Sequence, residues 1–194
     1  MAEYEDDRPS QDEYFMGIAM AVRKRANCKG SRIGVVIVLN GRIISSGYNG
    51  TPEHMKNCLE GGCFRCANRD KFPPGTGYDL CICVHAEQNA LLAAARFGIA
   101  VEGATVYSTM RPCFGCTKEM LQARIRAVYY LNDWNHPDEK QKAEYERIQS
   151  RFPDGIRKVD MDDPDVEWAV SKVPQRPAPG GVPVTPDQHG SQDI

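Results

Sequence analysis

Two short motifs carry side chains that could hold a metal ion and act on a bound substrate. The first is His-Ala-Glu at residues 85–87, and the second is Pro-Cys-Phe-Gly-Cys at residues 112–116. One imidazole and two thiolates are typical zinc ligands, and three protein ligands leave the fourth tetrahedral position open for water. The pattern therefore predicts a catalytic zinc site held by His85, Cys113 and Cys116.

Glu87 is the second element of that chemistry. It lies two residues from His85, near the predicted metal but with no need to bind it, so its carboxylate can carry protons between water and substrate. Taken singly, His-Ala-Glu and Cys-x-x-Cys are weak signals, and Cys-x-x-Cys often marks a structural zinc site. A purely structural site has no use for a non-ligand acid, so the combination favours catalysis.

Both motifs fall where a loop enters a predicted helix, whose positive N-terminal end favours thiolate ligands. The sequence predicts helices over residues 11–25, 85–97, 113–123 and 140–149, with a last turn opened by Asp163 and Pro164. Ser10 and Glu13 form a capping box for the first helix, and Pro137 suits the start of the fourth. Predicted strands cover residues 33–39, 42–46, 104–108, 127–131 and 156–159.

The order of these elements predicts the fold class. Asn40-Gly41 joins the first two strands as an antiparallel hairpin, and the later alternation of strands and helices implies parallel strands with right-handed crossovers. We therefore expect an α/β fold, a three-layer α/β/α sandwich with a mixed central sheet.

Length and charge limit the other possibilities. A chain of 194 residues with 41% hydrophobic composition predicts one domain, over residues 1–172, and the polar composition of residues 173–194 predicts a disordered tail. The formal net charge of -2 excludes a basic face for extended nucleic acid. A polar, acidic N-terminus and no long apolar run predict a cytoplasmic protein without membrane contact.

Six cysteines remain outside the catalytic pair. They are Cys28, Cys58, Cys63, Cys66, Cys81 and Cys83. Four thiolates satisfy a closed structural zinc site, which would order the irregular segment of residues 53–83 and leave two spectators or a different arrangement. The alternatives are inert free thiols, or a zinc-ribbon binding module in which the catalytic-looking residues are idle.

Several stretches resemble the deoxycytidylate deaminase family of the cytidine deaminase-like superfamily. They are residues 12–15, 32–38, 46–52 and 85–90, and the resemblance runs from about residue 10 to residue 131. The order His-x-Glu then Pro-Cys-x-x-Cys is typical of zinc-dependent nucleobase deaminases in general. Gly-Tyr-Asn-Gly at residues 47–50 and the stretch at residues 85–90 separate the chain best from tRNA adenosine deaminases and free-cytidine deaminases.

The resemblance implies hydrolysis of deoxycytidine monophosphate to deoxyuridine monophosphate and ammonia. Hydroxide would attack ring carbon four while Glu87 protonates ring nitrogen three, and Asn49, Ala86 and Tyr130 would contact the substrate. From the residues alone, Asn49 before glycine also suits a turn with positive φ, and Tyr130 on a strand also suits the core. Another cytosine nucleotide, CMP or dCTP, or a base in nucleic acid is the alternative substrate.

The remaining expectations concern phosphate, the second zinc and assembly. Four cations are available for the substrate phosphate, and the sequence does not choose among Lys29, Arg32, Arg65 and Arg111. By resemblance, Cys28 and Cys58 match cysteines that hold a second zinc in some family members. The resemblance also implies a homo-oligomer, commonly a hexamer, activated by dCTP and inhibited by dTTP.

Overall fold

A computed structural model of the protein describes residues 7–72, 76–136 and 138–170. The helices are α1 (Gln11–Arg23), α2 (Phe64–Ala67), α3 (Ala86–Arg96), α4 (Phe114–Gln122), α5 (Glu139–Gln149) and α6 (Val166–Ala169). The strands are β1 (Gly34–Leu39), β2 (Arg42–Tyr48), β3 (Thr105–Met110), β4 (Ala127–Asn132) and β5 (Ile156–Lys158). Each predicted helix and strand is present, with ends that differ by up to three residues.

The start of α1 has the predicted capping box. The Ser10 hydroxyl accepts from the Glu13 backbone N–H at 3.3 Å, and the Glu13 carboxylate accepts from the Ser10 N–H at 2.7 Å. Two N–H groups that the helix cannot satisfy internally are thereby paired. The helix therefore begins where the sequence predicted.

The first two strands form the predicted hairpin. Asn40 and Gly41 have φ values of 50° and 71°, the left-handed pair that a tight turn between twisted strands requires. Strand β2 continues to Tyr48, two residues beyond its predicted end, because residues 47 and 48 pair with β1. The strand thus delivers the chain directly to Asn49.

The sheet order is β2-β1-β3-β4-β5. Strand β1 is antiparallel to both β2 and β3, whereas β3, β4 and β5 run parallel. Strands β2, β3 and β4 therefore end at the same edge of the sheet. The loops that follow them meet there, which places Asn49 and the Pro-Cys motif on one side of the molecule.

Helices cover both faces of the sheet. On one face Met16 and Ala19 of α1 pack with Val36, Val38 and further residues of β3 and β4. On the other face α3 and α4 pack with the opposite sides of the same strands, and this core contains Val35, Ile37, Ala90, Val106, Met120 and Val128. The mixed sheet between two helical layers is the three-layer sandwich that the sequence predicted.

The cysteine-rich segment has little regular structure. Apart from α2 it contains three short 3-10 turns, at Cys58–Glu60, Arg69–Lys71 and Tyr78–Leu80. Its buried cluster consists of cysteines with Ile82 packed against them.

The predictions for Pro137 and for the tail of residues 173–194 fall outside the described residues. Among the described residues, no helix has the length and apolar character that a bilayer span needs.

Candidate active site

The three predicted zinc ligands come together at the N-terminal ends of two helices. His85 is the N-cap of α3, Cys113 is the N-cap of α4, and Cys116 lies in the first turn of α4. His85 Nδ1 is 3.3 Å from Cys113 Sγ and 3.4 Å from Cys116 Sγ. Zinc–nitrogen and zinc–sulfur bonds of ordinary length at a tetrahedral angle separate such atoms by about 3.6 Å. The donor set therefore fits one zinc ion.

The position of α3 depends on close contact with β2. A β-carbon at Gly47 would lie 2.3 Å from the Ala86 carbonyl oxygen and 2.4 Å from the Ala90 backbone nitrogen. Only a glycine permits this approach. A backbone bridge between Gly50 and Val84 then holds the residue before His85 against the chain that leaves β2.

A buried glutamine on α5 holds the Pro-Cys loop, and the sequence analysis did not identify it. Gln149 Oε1 accepts from the Arg111 guanidinium at 2.7 and 3.0 Å, and Gln149 Nε2 donates to the Pro112 carbonyl at 3.3 Å. The side chain is 1% exposed. The sequence places Gln149 at the end of the helix predicted over residues 140–149, and no local signal distinguishes it from its neighbours.

Glu87 lies in the first turn of α3, buried beside the three ligands. Its Oε2 atom has no hydrogen-bond partner among the described residues. Burial, and then the charge of the Cys113 thiolate, raise the pKa of Glu87 to about 7. An unpaired buried carboxyl oxygen next to a metal-ligand set is arranged for a water molecule or substrate.

The pKa of the His85 imidazole is also shifted. Its hydrogen bond with Cys113 raises the pKa of His85 to about 9, although burial opposes the shift. A proton on Nδ1 and a metal on Nδ1 are mutually exclusive, so zinc would replace that proton. The Cys113 thiol has its pKa lowered to about 4 by the adjacent Cys116 and His85, despite burial, which favours the thiolate form that binds metal.

Asn49 has both groups of its side-chain amide engaged. Its Oδ1 accepts from the Ile33 N–H and its Nδ2 donates to the Ser31 carbonyl, both at 2.8 Å. Asn49 does not have a positive φ, since the described non-glycine residues that do are Asn40, His54 and Arg124. The interpretation of Asn49 as a turn residue with positive φ is therefore wrong. An amide can make four hydrogen bonds, so one donor and one acceptor of Asn49 remain for a ligand in the cavity that it lines.

The other two predicted substrate contacts are not among the described residues that line the cavity. Ala86 is fully buried, and Tyr130 on β4 is 9% exposed. The Arg111 guanidinium lies 5.8 Å from the centre of the Tyr130 ring. Burial raises the pKa of Tyr130 above its usual range, with the Asp133 carboxylate adding to the effect. Tyr130 thus lies behind Arg111, which lines the cavity.

A cavity of about 1370 Å³ joins the ligand triad to the cysteine-rich segment. Of the four cations considered for phosphate, Arg65 and Arg111 line it. Arg32 instead stacks on the Trp168 ring at 4.3 Å, and the Lys29 backbone carbonyl accepts from Arg69. The cavity also contains cations that the sequence did not single out, namely Arg69, Lys71 and Lys140.

The six other cysteines also lie together. Their sulfur atoms form two groups of four, each with ligand atoms within 4.8 Å of one another, and the groups share two members. All eight cysteines are free of disulfide bonds. Donor atoms for a second metal centre are therefore present beside the cavity.

Comparison with known proteins agrees with this geometry. Residues 9–132 match the family model of the cytidine and deoxycytidylate deaminase zinc-binding region. The deoxycytidylate deaminase of Saccharomyces cerevisiae is 42% identical over 135 residues, which cover 70% of this chain and 42% of the relative. That of Mycobacterium phage D29 is 39% identical over 129 residues, covering 63% of this chain and 95% of the relative.

A solved structure has the same fold. The dCMP deaminase of cyanophage S-TIM5, in complex with dCMP and dUMP, is 28% identical, with a TM-score of 0.59 over 78% of this chain and 98% of that one. The chain spans about two fifths of the length of the relatives from S. cerevisiae and Schizosaccharomyces pombe, at 42% and 39%. The family model of the zinc-binding region matches more than half of the residues of this chain, which shows that the chain belongs to the cytidine and deoxycytidylate deaminase family.

Proposed function

We propose that the protein hydrolyses deoxycytidine monophosphate to deoxyuridine monophosphate and ammonia. The observation that carries the proposal is the buried, unpaired carboxyl oxygen of Glu87 beside a three-ligand zinc site that opens into a large cavity. The names of the relatives and the nucleotides in the cyanophage structure support the choice of substrate.

His85, Cys113 and Cys116 would hold the catalytic zinc, and at least four of the six other thiolates would hold structural zinc. When bound at three protein ligands, zinc lowers the pKa of water enough to supply a nucleophile near neutral pH. Glu87 accepts a proton from that water and donates it to ring nitrogen three as the bond to ring carbon four forms. Glu87 then takes the proton of the hydroxyl group on carbon four and donates it to the amino group, so that the carbon–nitrogen bond breaks, ammonia leaves and the ring keeps the oxygen as a carbonyl.

The remaining cavity residues would hold and orient the nucleotide. Asn49 contacts the sugar with its free donor and acceptor, while Ala86 and Tyr130 support the base end from behind the residues that line the cavity. The phosphate lies at the cationic wall of the insert, where Arg65 and Lys71 line the cavity. A phosphate contacted by two cations gains charge-assisted hydrogen bonds and fixes the base relative to Glu87.

Ammonia release from a panel of dCMP, CMP, dCTP, deoxycytidine and tRNA tests the proposal. We expect dCMP to have the highest kcat/KM. The matched control is Glu87→Gln, which keeps the shape of the side chain but cannot carry the proton. That variant should retain zinc and lose at least 100-fold in kcat, in line with general acid–base catalysis at about 10²–10⁴-fold. Undiminished turnover by the variant would contradict the mechanism.

We propose further that the chain forms a homo-oligomer, a hexamer in the family pattern, with dCTP as activator and dTTP as inhibitor. Exposed apolar side chains near the end of α3 support an assembly, since Leu92 is 60% and Phe97 72% exposed. A monomeric mass in light scattering would contradict it, as would rates that neither triphosphate alters. The domain limits of residues 1–172 and the cytoplasmic location stay predictions.

A further inference from the structure

The six cysteines outside the ligand triad form two groups that overlap. The first group is Cys28, Cys58, Cys66 and Cys83. The second group is Cys63, Cys66, Cys81 and Cys83. Cys66 and Cys83 belong to both groups, so all six cysteines are used and two are used twice.

The distances within both groups suit tetrahedral zinc. A zinc–sulfur bond of about 2.3 Å makes the edge of a tetrahedron of four sulfurs about 3.8 Å long. In the first group the Cys28 and Cys66 sulfurs are 4.0 Å apart. In the second group Cys81 Sγ lies 3.7 Å from Cys63 Sγ and 3.9 Å from Cys66 Sγ. Disulfide bonds require about 2.05 Å, so these pairs are not oxidised partners.

We propose that the six cysteines hold two zinc ions in one binuclear cluster, with Cys66 and Cys83 as bridging thiolates. Two tetrahedra that share an edge contain six ligands, which is the number present. Cys28 and Cys58 are the terminal ligands of one ion, and Cys63 and Cys81 are those of the other. Together with the deaminase site, the chain then binds three zinc ions.

The surroundings of the cluster suit its charge. Six thiolates and two divalent ions make a dianion, which needs donors around its sulfurs. The Lys29 N–H points at Cys58 Sγ and the Gly30 N–H at Cys28 Sγ, both at 3.3 Å. The Arg69 guanidinium donates to the Lys29 carbonyl, which keeps a positive charge close to these sulfurs.

A single zinc leaves two of the six cysteines without a metal. With zinc in the first group alone, Cys63 and Cys81 would lose their ligand role, and the described part of the chain between Cys66 and Cys83 would depend on polar contacts such as those of Arg65 with the Thr76 carbonyl and the Tyr78 ring. Apolar packing does not replace the metal, because Phe64 is 60% and Leu80 52% exposed. The buried cluster here is made of the cysteine sulfurs themselves. Two ions hold the segment at six points, as metals do in small domains without a core.

The cluster also adjoins the deaminase site. Cys83 is two residues before His85, and both Cys81 and Cys83 line the cavity. The binuclear centre therefore forms one wall of the substrate pocket and fixes the chain that enters α3.

The first test is the zinc content of the full chain, purified without chelator, by mass spectrometry of the metal. Three zinc ions per chain, of which two remain in the variant His85→Ala/Cys113→Ser, support the proposal, and one or none remaining in that variant overturns it. In the double variant Cys63→Ser/Cys81→Ser, the content should fall to two, because one terminal pair is lost while the other four sulfurs remain. The matched variant His85→Ala/Cys113→Ser should also fall to two, but by loss of the deaminase zinc.

The second test needs no variant, so it is independent of whether variants fold. The full chain is loaded with cadmium-113 and examined by cadmium NMR. A bridged pair gives two resonances of thiolate-bound cadmium with a scalar coupling between them, and uncoupled or single resonances overturn the proposal. The ammonia-release panel is separate from both tests, so failure of the deaminase proposal would be distinguishable from failure of the cluster.

Discussion

Glu87 and three cations of the cysteine-rich segment, Arg65, Arg69 and Lys71, line the cavity where the proposed substrate would bind. Burial and the Cys113 thiolate raise the pKa of Glu87 to about 7, so the carboxyl can both take and give a proton near neutral pH. Glu119, on the neighbouring helix, is exposed and instead accepts a hydrogen bond from Gln88. Burial next to the ligand triad, and not residue type, makes Glu87 the acid–base candidate.

Arg65 and Lys71, the two cations proposed to contact the phosphate, give a prediction about substrate affinity. The double variant Arg65→Gln/Lys71→Gln should raise KM for dCMP about 10- to 100-fold, since a charged hydrogen bond contributes about 1.5–3 kcal/mol. Steady-state kinetics with dCMP and with deoxycytidine measure the effect, and KM for deoxycytidine should not change. Lys158→Gln, at an exposed lysine on β5, is the control. Equal losses on both substrates would place the phosphate elsewhere.

His85 and Glu87 lie at the start of α3, so the packing of α3 on β2 determines the positions of these two candidate active-site residues. Gly47→Ala should lower the free energy of unfolding by about 1–3 kcal/mol, as the added methyl group meets the backbone of α3. Urea unfolding measures the change, and kcat should fall with it.

Gly17→Ala is the matched control at the scale of elements. Gly17 lies inside α1, and nothing surrounds the position of its missing β-carbon within 4 Å. Alanine should therefore stabilise the protein by up to about 1 kcal/mol through helix propensity. If both glycine variants behaved alike, the close approach of α3 to β2 would not be the cause.

An ion pair joins the end of α1 to the segment just before α6. Arg23 at the end of α1 is completely buried, and its guanidinium donates to both oxygens of Asp163 at 2.5 and 2.8 Å. Burial opposes ionisation of Asp163, but hydrogen bonds from Arg23 and Asn132 outweigh it and hold the pKa of Asp163 below its usual range. The last described segment is thereby fixed against the first helix.

This pair predicts a pH-dependent stability of the whole molecule. A lowered folded-state pKa means that the stabilisation is present above the unfolded value, about 3.9, and is lost as the pH falls through the folded value. Asp163→Asn should destabilise the protein by about 3 kcal/mol at pH 7, because the buried Arg23 keeps only the Asp165 carboxylate, 3.6 Å away, as a charged partner, and the difference should narrow in acid. Urea unfolding across pH measures it, and Asp154→Asn, at an exposed pair with Arg126, should change stability by less than about 1 kcal/mol.

The sequence by itself determined the parts of this protein that depend on short-range signals. Helix caps, the Asn40-Gly41 turn and the alternation of apolar residues act over a few neighbouring residues, so the elements and the fold class were predictable. The ligand triad and Glu87 were also recognisable, since two short motifs carry them. Family membership followed from the same stretches.

Only the tertiary structure decided what depends on distant parts of the chain. It showed that Gln149 holds the Pro-Cys loop, that Asn49 ties down residues 31–33, and that Arg32 stacks on Trp168. It also showed that two cysteines are shared between two groups of four. The physical reason is that these contacts join residues far apart in sequence, and the order of the strands, not any local pattern, determines which of them meet.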